Sequence, residues 1–396
     1  MYPEQELKKY WYNFMTMLEQ PLALERFKLK LKNFRETPLS AAEQQAFARE
    51  LDQLKADIMA QLGDEDIRYI ETVDQIARCC EIAGRLLIHT SLEPVSWSVG
   101  VLCLWVHLQL DNLEINHSAQ HGAWDKLPGA ERFHSERYVH NSPVDEESWR
   151  YRHNILHHSY TGQIGRDPDV TFGFFRLGEE IDQHWYHTLQ PAALVINSLF
   201  TAQSMALLSS GLGDFLAAGL LPGYQPEEHG QMHKQRDPQQ FMDSLQRYLR
   251  KAVPNFAWNY GLFGLLAGPL FWGKVTLGTL TAALLRNIFT GFSFYTGHMV
   301  EEAQHYQSAP RNRAEWYLQQ IEGTANVEGS RLLSLLMGHL NYQIEHHLFP
   351  KLPPNRLEQI APRVRQLCET YGVRYNTGSF SQQVGSVFRR ALKFAR

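Results

Sequence analysis

The sequence predicts an all-α integral membrane protein, with four transmembrane helices in two hairpins and a cytosolic helical cap. Two apolar stretches, residues 256–273 and 275–297, each approach the roughly 20 residues that a helix needs to cross a hydrocarbon core. A weaker pair, residues 79–92 and 95–110, contains polar residues and is divided by a Glu-Pro pair. Histidines cluster in the polar segments between and after these stretches. These polar segments are therefore expected to form the cap.

A buried hairpin in a soluble protein is the alternative for each pair of stretches. If both pairs cross the membrane as hairpins, however, the histidines that follow them emerge on the side where the chain entered. Short connections on the far side, and Lys and Arg in the polar regions, predict that the cap faces the cytosol. The apolar run 192–221 is interpreted as a helix pair on the membrane surface. A net charge of −4 leaves no basic face for nucleic acid.

Three histidine clusters predict a single metal site. Residues four apart share one face of a helix, so His117 aligns with His121, and His153 aligns with His157. His158 is rotated by about 100° and is suited to a second ion. Neutral imidazole is a common ligand of iron, copper and zinc. The doubled histidines therefore favour two neighbouring metals.

The third cluster adds a polar stripe. His339, Gln343, His346 and His347 fall within an arc of roughly 100° on one predicted helix, whereas Glu345 points away from it. All four side chains of the stripe are therefore expected to face the metals.

Two other kinds of metalloprotein fit less well. The first cluster, His-Ser-Ala-Gln-His, lacks the glutamate of the HExxH signature, so a zinc hydrolase is poorly supported. A soluble carboxylate-bridged di-iron bundle needs paired Glu-x-x-His units. Such units occur at Glu114, Glu131 and Glu302, but in unrelated contexts, and that fold would leave the doubled histidines unused.

The three clusters resemble the histidine boxes of the membrane fatty acid desaturase superfamily. Flanking segments at residues 149–154, 161–169 and 352–357 strengthen the likeness, which runs from about residue 80 to about residue 380. Residues 112–125 are most similar to bacterial acyl chain desaturases. The resemblance implies a non-haem di-iron centre that uses O₂ and two electrons to remove two hydrogens from a fatty acyl chain, carried by CoA or by a lipid.

The resemblance also implies a set of catalytic metal ligands: His117, His121, His153, His157, His158, His298, His346 and His347. His298 matches an isolated histidine that follows the last span. Gln343 stands where other branches have histidine, and an amide oxygen is a weaker ligand than imidazole. We therefore expect His339 to supply a ninth nitrogen. Carboxylates near the boxes are candidates for orienting the ligands, namely Asp125, Asp167, Asp169, Glu301 and Glu345.

The chain is expected to divide into an N-terminal cytosolic helical region (1–75), a membrane desaturase domain (76–380) and a basic C-terminal tail (381–396). Within the first region, Pro38-Leu-Ser40 predicts a helix start at Ala41. The four cysteines show neither zinc spacing nor a disulfide framework. An integral membrane protein of the bacterial inner membrane, with its active site facing the cytoplasm, is the expected setting.

Electrons are expected to come from a separate carrier. The sequence shows no His-Pro-Gly-Gly haem segment and no ferredoxin-like cysteine cluster. A ferredoxin or rubredoxin-type protein with a reductase is therefore the expected partner, and the tail from Arg389 to Arg396 is a candidate docking surface. A lipid hydroxylase or ketolase on the same scaffold remains an alternative. A non-enzymatic metal-binding membrane protein is disfavoured, because a transporter would carry ionisable ligands inside its spans.

Overall fold

The computed structural model describes residues 38–220, apart from 171 and 173, and residues 238–395. Residues 1–37 of the expected N-terminal region lie outside the described part. Helices dominate, as predicted. The predicted helix start is confirmed, because Ser40 caps a helix at Ala41: its side chain accepts a hydrogen bond from the Glu43 amide at 3.3 Å, and its own amide donates to the Glu43 carboxylate at 2.8 Å.

The α-helices are numbered here in chain order: Ala41–Met59 (α1), Asp64–Thr90 (α2), Pro94–Gln109 (α3), Ser118–Gln120 (α4), Glu146–Trp149 (α5), His158–Tyr160 (α6), Gln190–Leu199 (α7), Thr201–Ser210 (α8), Leu212–Leu220 (α9), Pro238–Phe256 (α10), Phe263–His298 (α11), Arg313–Glu322 (α12), Arg331–Leu336 (α13), Gln343–Leu348 (α14), Pro354–Tyr371 (α15) and Phe380–Lys393 (α16). Segments of π-helix span Leu110–His117, Arg150–His157 and Ala257–Leu262. Turns of 3₁₀-helix span Glu131–Phe133, Trp185–Leu189 and Leu340–Tyr342. Strands β1 (Asn326–Glu328) and β2 (Thr377–Ser379) pair in parallel.

The first predicted hairpin is formed by α2 and α3, although α2 begins at Asp64 rather than at residue 79. Glu93 caps α3, because its carboxylate accepts hydrogen bonds from the amides of Val95 and Ser96, both at 2.6 Å. The two helices approach closely at Gly84, where an added Cβ would lie 2.7 Å from the Leu104 nitrogen. A side chain at that position would therefore force the helices apart.

The second hairpin turns at a different place from the predicted one. The prediction put the turn at residues 273–274, but the backbone reverses at Gly268, with φ 69° and ψ 170° inside α11. Glycine adopts this left-handed φ at little cost, and the following Pro269 has no N–H to continue the preceding helix. The descending arm therefore comprises α10, the π-helix Ala257–Leu262 and the first residues of α11. The returning arm runs from Pro269 to His298.

No individual helix among the described residues combines the length and apolar character needed to cross a membrane. One broken pair, Trp185–Leu199 followed by Thr201–Ser210, meets both criteria together but is bent by 97°. The run 192–221 is predicted to be a helix pair, but its described part, up to residue 220, contains most of α7 and the whole of α8 and α9.

A hydrophobic core supports the segment that carries the third histidine cluster. Phe47 and Leu51 of α1 pack with Tyr317 of α12, Ile344 of α14 and Leu357 of α15, and all five are buried. Segments that are distant in sequence thus hold α14 from the side opposite the histidines.

The C-terminal segment is not a free basic tail. Residues Phe380–Lys393 form α16, which buries Val387 and Ala391. Arg390 is also buried and donates to the carbonyl oxygens of Leu177 at 2.7 Å and Val300 at 2.5 Å. The expectation of an exposed docking surface is therefore wrong for Arg390, because its guanidinium satisfies carbonyl groups inside the fold.

We expect the substitution Asp66→Asn to destabilise the protein by about 3 kcal/mol, because it removes the buried carboxylate that pairs with the buried Arg356 guanidinium. Asp66 accepts from Arg356 Nε at 2.6 Å and joins the start of α2 to α15. Glu65, whose side chain is 66% exposed, contacts the same arginine at 2.9 Å and provides the control. Glu65→Gln should cost less than about 1 kcal/mol. Thermal unfolding of the purified variants measures both, and equal losses would contradict this interpretation.

Candidate metal centre

The first two histidine clusters lie at the ends of π-helices. Leu110–His117 is followed by the short helix α4, and Arg150–His157 is followed by α6. The wider π turn is rare and occurs frequently at functional sites. The predicted shared faces are present: the rings of His117 and His121 are 4.7 Å apart, and those of His153 and His157 are 5.1 Å apart.

The third cluster is not on one continuous helix, so the predicted stripe is wrong at His339. That residue has a left-handed φ of 53°, and a 3₁₀ turn separates it from α14. It follows Gly338, where an added Cβ would lie 2.6 Å from the Leu113 backbone. The chain turns at 338–339, where both residues have a left-handed φ, and the π-helix at Leu113 leaves no room for a side chain at position 338.

His339 contacts a carboxylate instead of the other histidines. Its Nδ1 lies 3.0 Å from both carboxylate oxygens of Glu114, which also accepts a hydrogen bond from Tyr69. Burial lowers the pKa of His339, but the charge of Glu114 outweighs it and raises the pKa overall. A protonated His339 would therefore form a buried ion pair with Glu114.

The structure brings the eight box and post-span histidines together. In three overlapping groups the candidate ligand atoms lie within 4.8 Å of one another: His117, His121, His153 and His346; His153, His157 and His158; and His157, His298 and His347. His158 lies between the outer groups, with ring centroids 4.6 Å from His121 and 4.3 Å from His347. The groups share His153 and His157, so the positions that they offer to a metal ion adjoin one another.

Gln343 lies at the edge of the group that contains His298. Its amide Nε2 is 2.8 Å from His298 Nε2, and an added Cβ at Gly297 would lie 3.0 Å from the Gln343 side chain. Glycine at the end of α11 therefore lets this amide approach. Rotation of the amide by half a turn would present its oxygen at the same place.

Hydrogen bonds from a surrounding layer orient two of the imidazoles. His157 Nδ1 lies 2.9 Å from Asp167 and 3.4 Å from Asp169. His347 Nδ1 lies 3.0 Å from Gln320 Oε1 and 3.1 Å from the Thr161 hydroxyl. Such partners fix the ring orientation of ligating histidines. The sequence indicated the two aspartates, whereas Gln320 lies on a helix distant from every histidine box and carries no signal of its own.

The other candidate carboxylates serve different purposes. Asp125 accepts hydrogen bonds from the amide and hydroxyl of Ser135, at 2.8 and 2.7 Å. Glu301 pairs with Arg389 at 2.6 Å. Glu345 points away from the histidines, as predicted, and accepts from Asn326 and Tyr375. Proximity in sequence to a histidine box therefore does not place a carboxylate at the site.

Burial keeps most of these imidazoles neutral. It lowers the pKa of His117 to about 3, with a further contribution from His157. It lowers the pKa of His121, His153, His158, His346 and His347 well below the usual value. His157 differs: burial is outweighed by Asp167 and Asp169, and its pKa is raised. Neutral imidazole is the form that binds a metal.

The donor set fits metal ions. Within the described residues, the buried atoms His121 Nε2, His158 Nδ1 and His346 Nε2 have no hydrogen-bond partner. Buried polar atoms without a partner are costly, and a metal ion would use the lone pair of an unprotonated ring nitrogen. Eight buried, clustered imidazoles in a mostly helical protein therefore fit the ligand set of a histidine-ligated metal site.

Comparison with known proteins identifies the family. Residues 94–379 match the fatty acid desaturase family. The chain is 32% identical to a Mycobacterium tuberculosis NADPH-dependent stearoyl-CoA 9-desaturase, over 90% of this chain and 81% of that protein. It is 24% identical to a Synechocystis sn-1 linoleoyl-lipid 6-desaturase, over 88% and 95% of the two chains. The chain therefore belongs to the fatty acid desaturase family, whose members desaturate fatty acyl chains, and the resemblance seen in the histidine boxes is confirmed.

We expect Asp167→Asn to weaken metal binding about tenfold or more, because the amide cannot supply the negative charge that His157 Nδ1 faces. Asp125→Asn is a matched control, since Asp125 is also near a histidine box but bonds to Ser135. Metal retained during dialysis against graded chelator concentrations measures the difference. Equal metal loss in both variants would refute the assigned role of Asp167.

Proposed function

We propose that this protein is a di-iron desaturase that acts on a long fatty acyl chain carried by CoA or by a lipid. The observation that supports this most directly is the convergence of eight buried histidines in overlapping groups beside a cavity. Relatives named for CoA-linked and lipid-linked substrates support an acyl chain as the substrate class.

The proposed ligands divide between two iron ions. His117, His121, His153 and His346 would hold one ion, and His157, His298 and His347, with Gln343 beside them, would hold the other. His158 lies between the two sets. Iron bound there would supply the oxidising chemistry, using O₂ and two external electrons. Because His339 is paired with Glu114, we assign it to positioning of the neighbouring chain rather than to the metal.

The cavity would hold the acyl chain against the histidines. Its volume is about 100 Å³, and His117, His153 and Gln343 line one end. Trp149, which stacks on the His153 ring at 4.3 Å, lines it as well. A narrow cavity limits the positions of a flexible chain, so that one pair of carbons is presented to the metals. It also excludes water from the reacting centre.

We further propose that the two hairpins are the four membrane spans. Their tips carry highly exposed apolar side chains: Leu92 is 90% exposed and Leu270 is 84% exposed. Lipid would cover such side chains. The proposed ligands lie beyond the opposite ends, where α3 leads to His117 and α11 ends at His298. With this topology, we propose that the active site faces the cytoplasm at a bacterial inner membrane.

Two irons per chain are expected in the purified protein. His121→Ala, His158→Ala and His347→Ala should each lower the iron content and abolish turnover, because each removes a buried ring nitrogen from the histidine groups. His339→Asn is the matched control, a buried histidine outside the three groups, and it should retain the iron. Elemental analysis measures the iron and zinc content of each protein. Stoichiometric zinc, together with activity that iron chelation does not affect, would refute the proposal.

Turnover should require an added electron donor. With octadecanoyl-CoA and O₂ alone the purified protein is expected to be inert. A ferredoxin or rubredoxin-type carrier with a flavin reductase and NADPH should restore formation of a product that lacks two hydrogens. The name of the NADPH-dependent relative supports this donor.

Mass spectrometry of the product provides the control for the reaction type. A product that has gained an oxygen atom would identify a hydroxylase instead. Sustained turnover without any added carrier would contradict the external donor.

A further inference from the structure

A second cavity adjoins the one that reaches the histidines. It is an open groove of about 490 Å³ between α7 and the rings of Phe174 and Phe175. Phe172, Asn197 and Ser204 line both this groove and the cavity beside the histidines. The two spaces therefore meet at a shared wall of three side chains.

The groove opens on an apolar surface of the protein. Ile196 and Phe200 line it and are 58% and 51% exposed. Among the described residues, no charged side chain lines the groove. Clustered apolar side chains at a surface mark a site of contact with lipid or with a partner. A lining without charge is suited to a hydrocarbon chain.

The shared wall lies near the end of the second hairpin that carries the histidines. Asn197 Nδ2 donates to the hydroxyl of Tyr295 at 2.8 Å, in the last turn of α11 before His298. The ring centroid of Phe172 is 4.8 Å from that of Phe294, which is 5.0 Å from that of His298. A chain that passed this wall would therefore reach the histidines without crossing the middle of the spans.

Phe172 has an unusual backbone conformation at this wall. Its φ of 46° is left-handed, which is uncommon for a bulky side chain. Strained residues of this kind persist only where their surroundings hold them, and they cluster at functional sites. The strain therefore lies where the groove and the cavity meet.

We propose that the groove beside α7 is the entrance through which the acyl chain of a membrane lipid passes from the bilayer to the histidines. The inference rests on the proposed function and names the lipid-linked chain as the form of the substrate that uses this entrance. The continuity of groove and cavity supports it, because one path joins an exposed apolar surface to the proposed metal ligands. The head group stays at the membrane surface. The phosphates of a CoA ester would find no cation in this lining.

The test fills the groove at Ala192, an exposed residue that lines it. Ala192→Trp places an indole in the groove. Val195→Trp is the matched control, because it adds the same side chain at an exposed position of the same helix outside the groove. The probe is a phosphatidylcholine with a photoreactive diazirine in the middle of one acyl chain, in nanodiscs that contain the iron-loaded protein. Mass spectrometry of the peptides locates the labelled residues.

Light should label Thr290 or Phe294 inside the cavity of the wild-type protein. Ala192→Trp should lower this labelling about tenfold or more, because an acyl chain and an indole cannot share the groove. Val195→Trp should leave it unchanged. Leu277, which is exposed on α11 outside both cavities, reports contact with surrounding lipid and should be labelled equally in all three proteins. Their iron content should also be equal.

Absence of cavity labelling in the wild-type protein, or equal cavity labelling in Ala192→Trp, would overturn the inference. Equal losses in both tryptophan variants, or loss of iron from Ala192→Trp, would show a general structural effect and overturn it as well. A CoA ester with the same diazirine chain is the comparison probe. If it alone labels the cavity, the substrate arrives as a thioester and the lipid entrance is refuted.

The proposed function fails separately from this inference. If the wild-type protein forms no unsaturated product from any acyl substrate, desaturation is refuted, while the labelling comparison still tests the entrance.

Discussion

The convergence of eight imidazoles inside the protein is the constraint on which the rest of the structure depends. Ring nitrogens removed from water need hydrogen bonds or a metal, and burial disfavours their protonation. The histidines come from four separate segments, which must end at one point. Local departures from regular α-helix make this possible, namely the π-helices before α4 and α6 and the sharp turn before α14. Gly297, near the end of α11, leaves room for the Gln343 side chain.

The surrounding hydrogen bonds make the two proposed metal positions unequal. His157 is held by two carboxylates that raise its pKa, whereas His347 is held by the neutral side chains of Gln320 and Thr161. A carboxylate partner increases the donor strength of a ligating imidazole. Both residues belong to the group that contains His298. In the group with His117, Trp149 stacks on His153 instead. The ion near His157 would therefore have the more basic ligand.

Sequence patterns predicted what depends on spacing and missed what depends on backbone conformation. The shared faces within the first two boxes, the helix start at Ala41 and the outward direction of Glu345 followed from helical periodicity. Hydropathy alone predicts the second hairpin turn at 273–274, although Gly268 and Pro269 mark a turn. The prediction for His339 is wrong because it requires an unbroken helix across Gly338. Gln320 reaches His347 through tertiary packing, which no local pattern reveals.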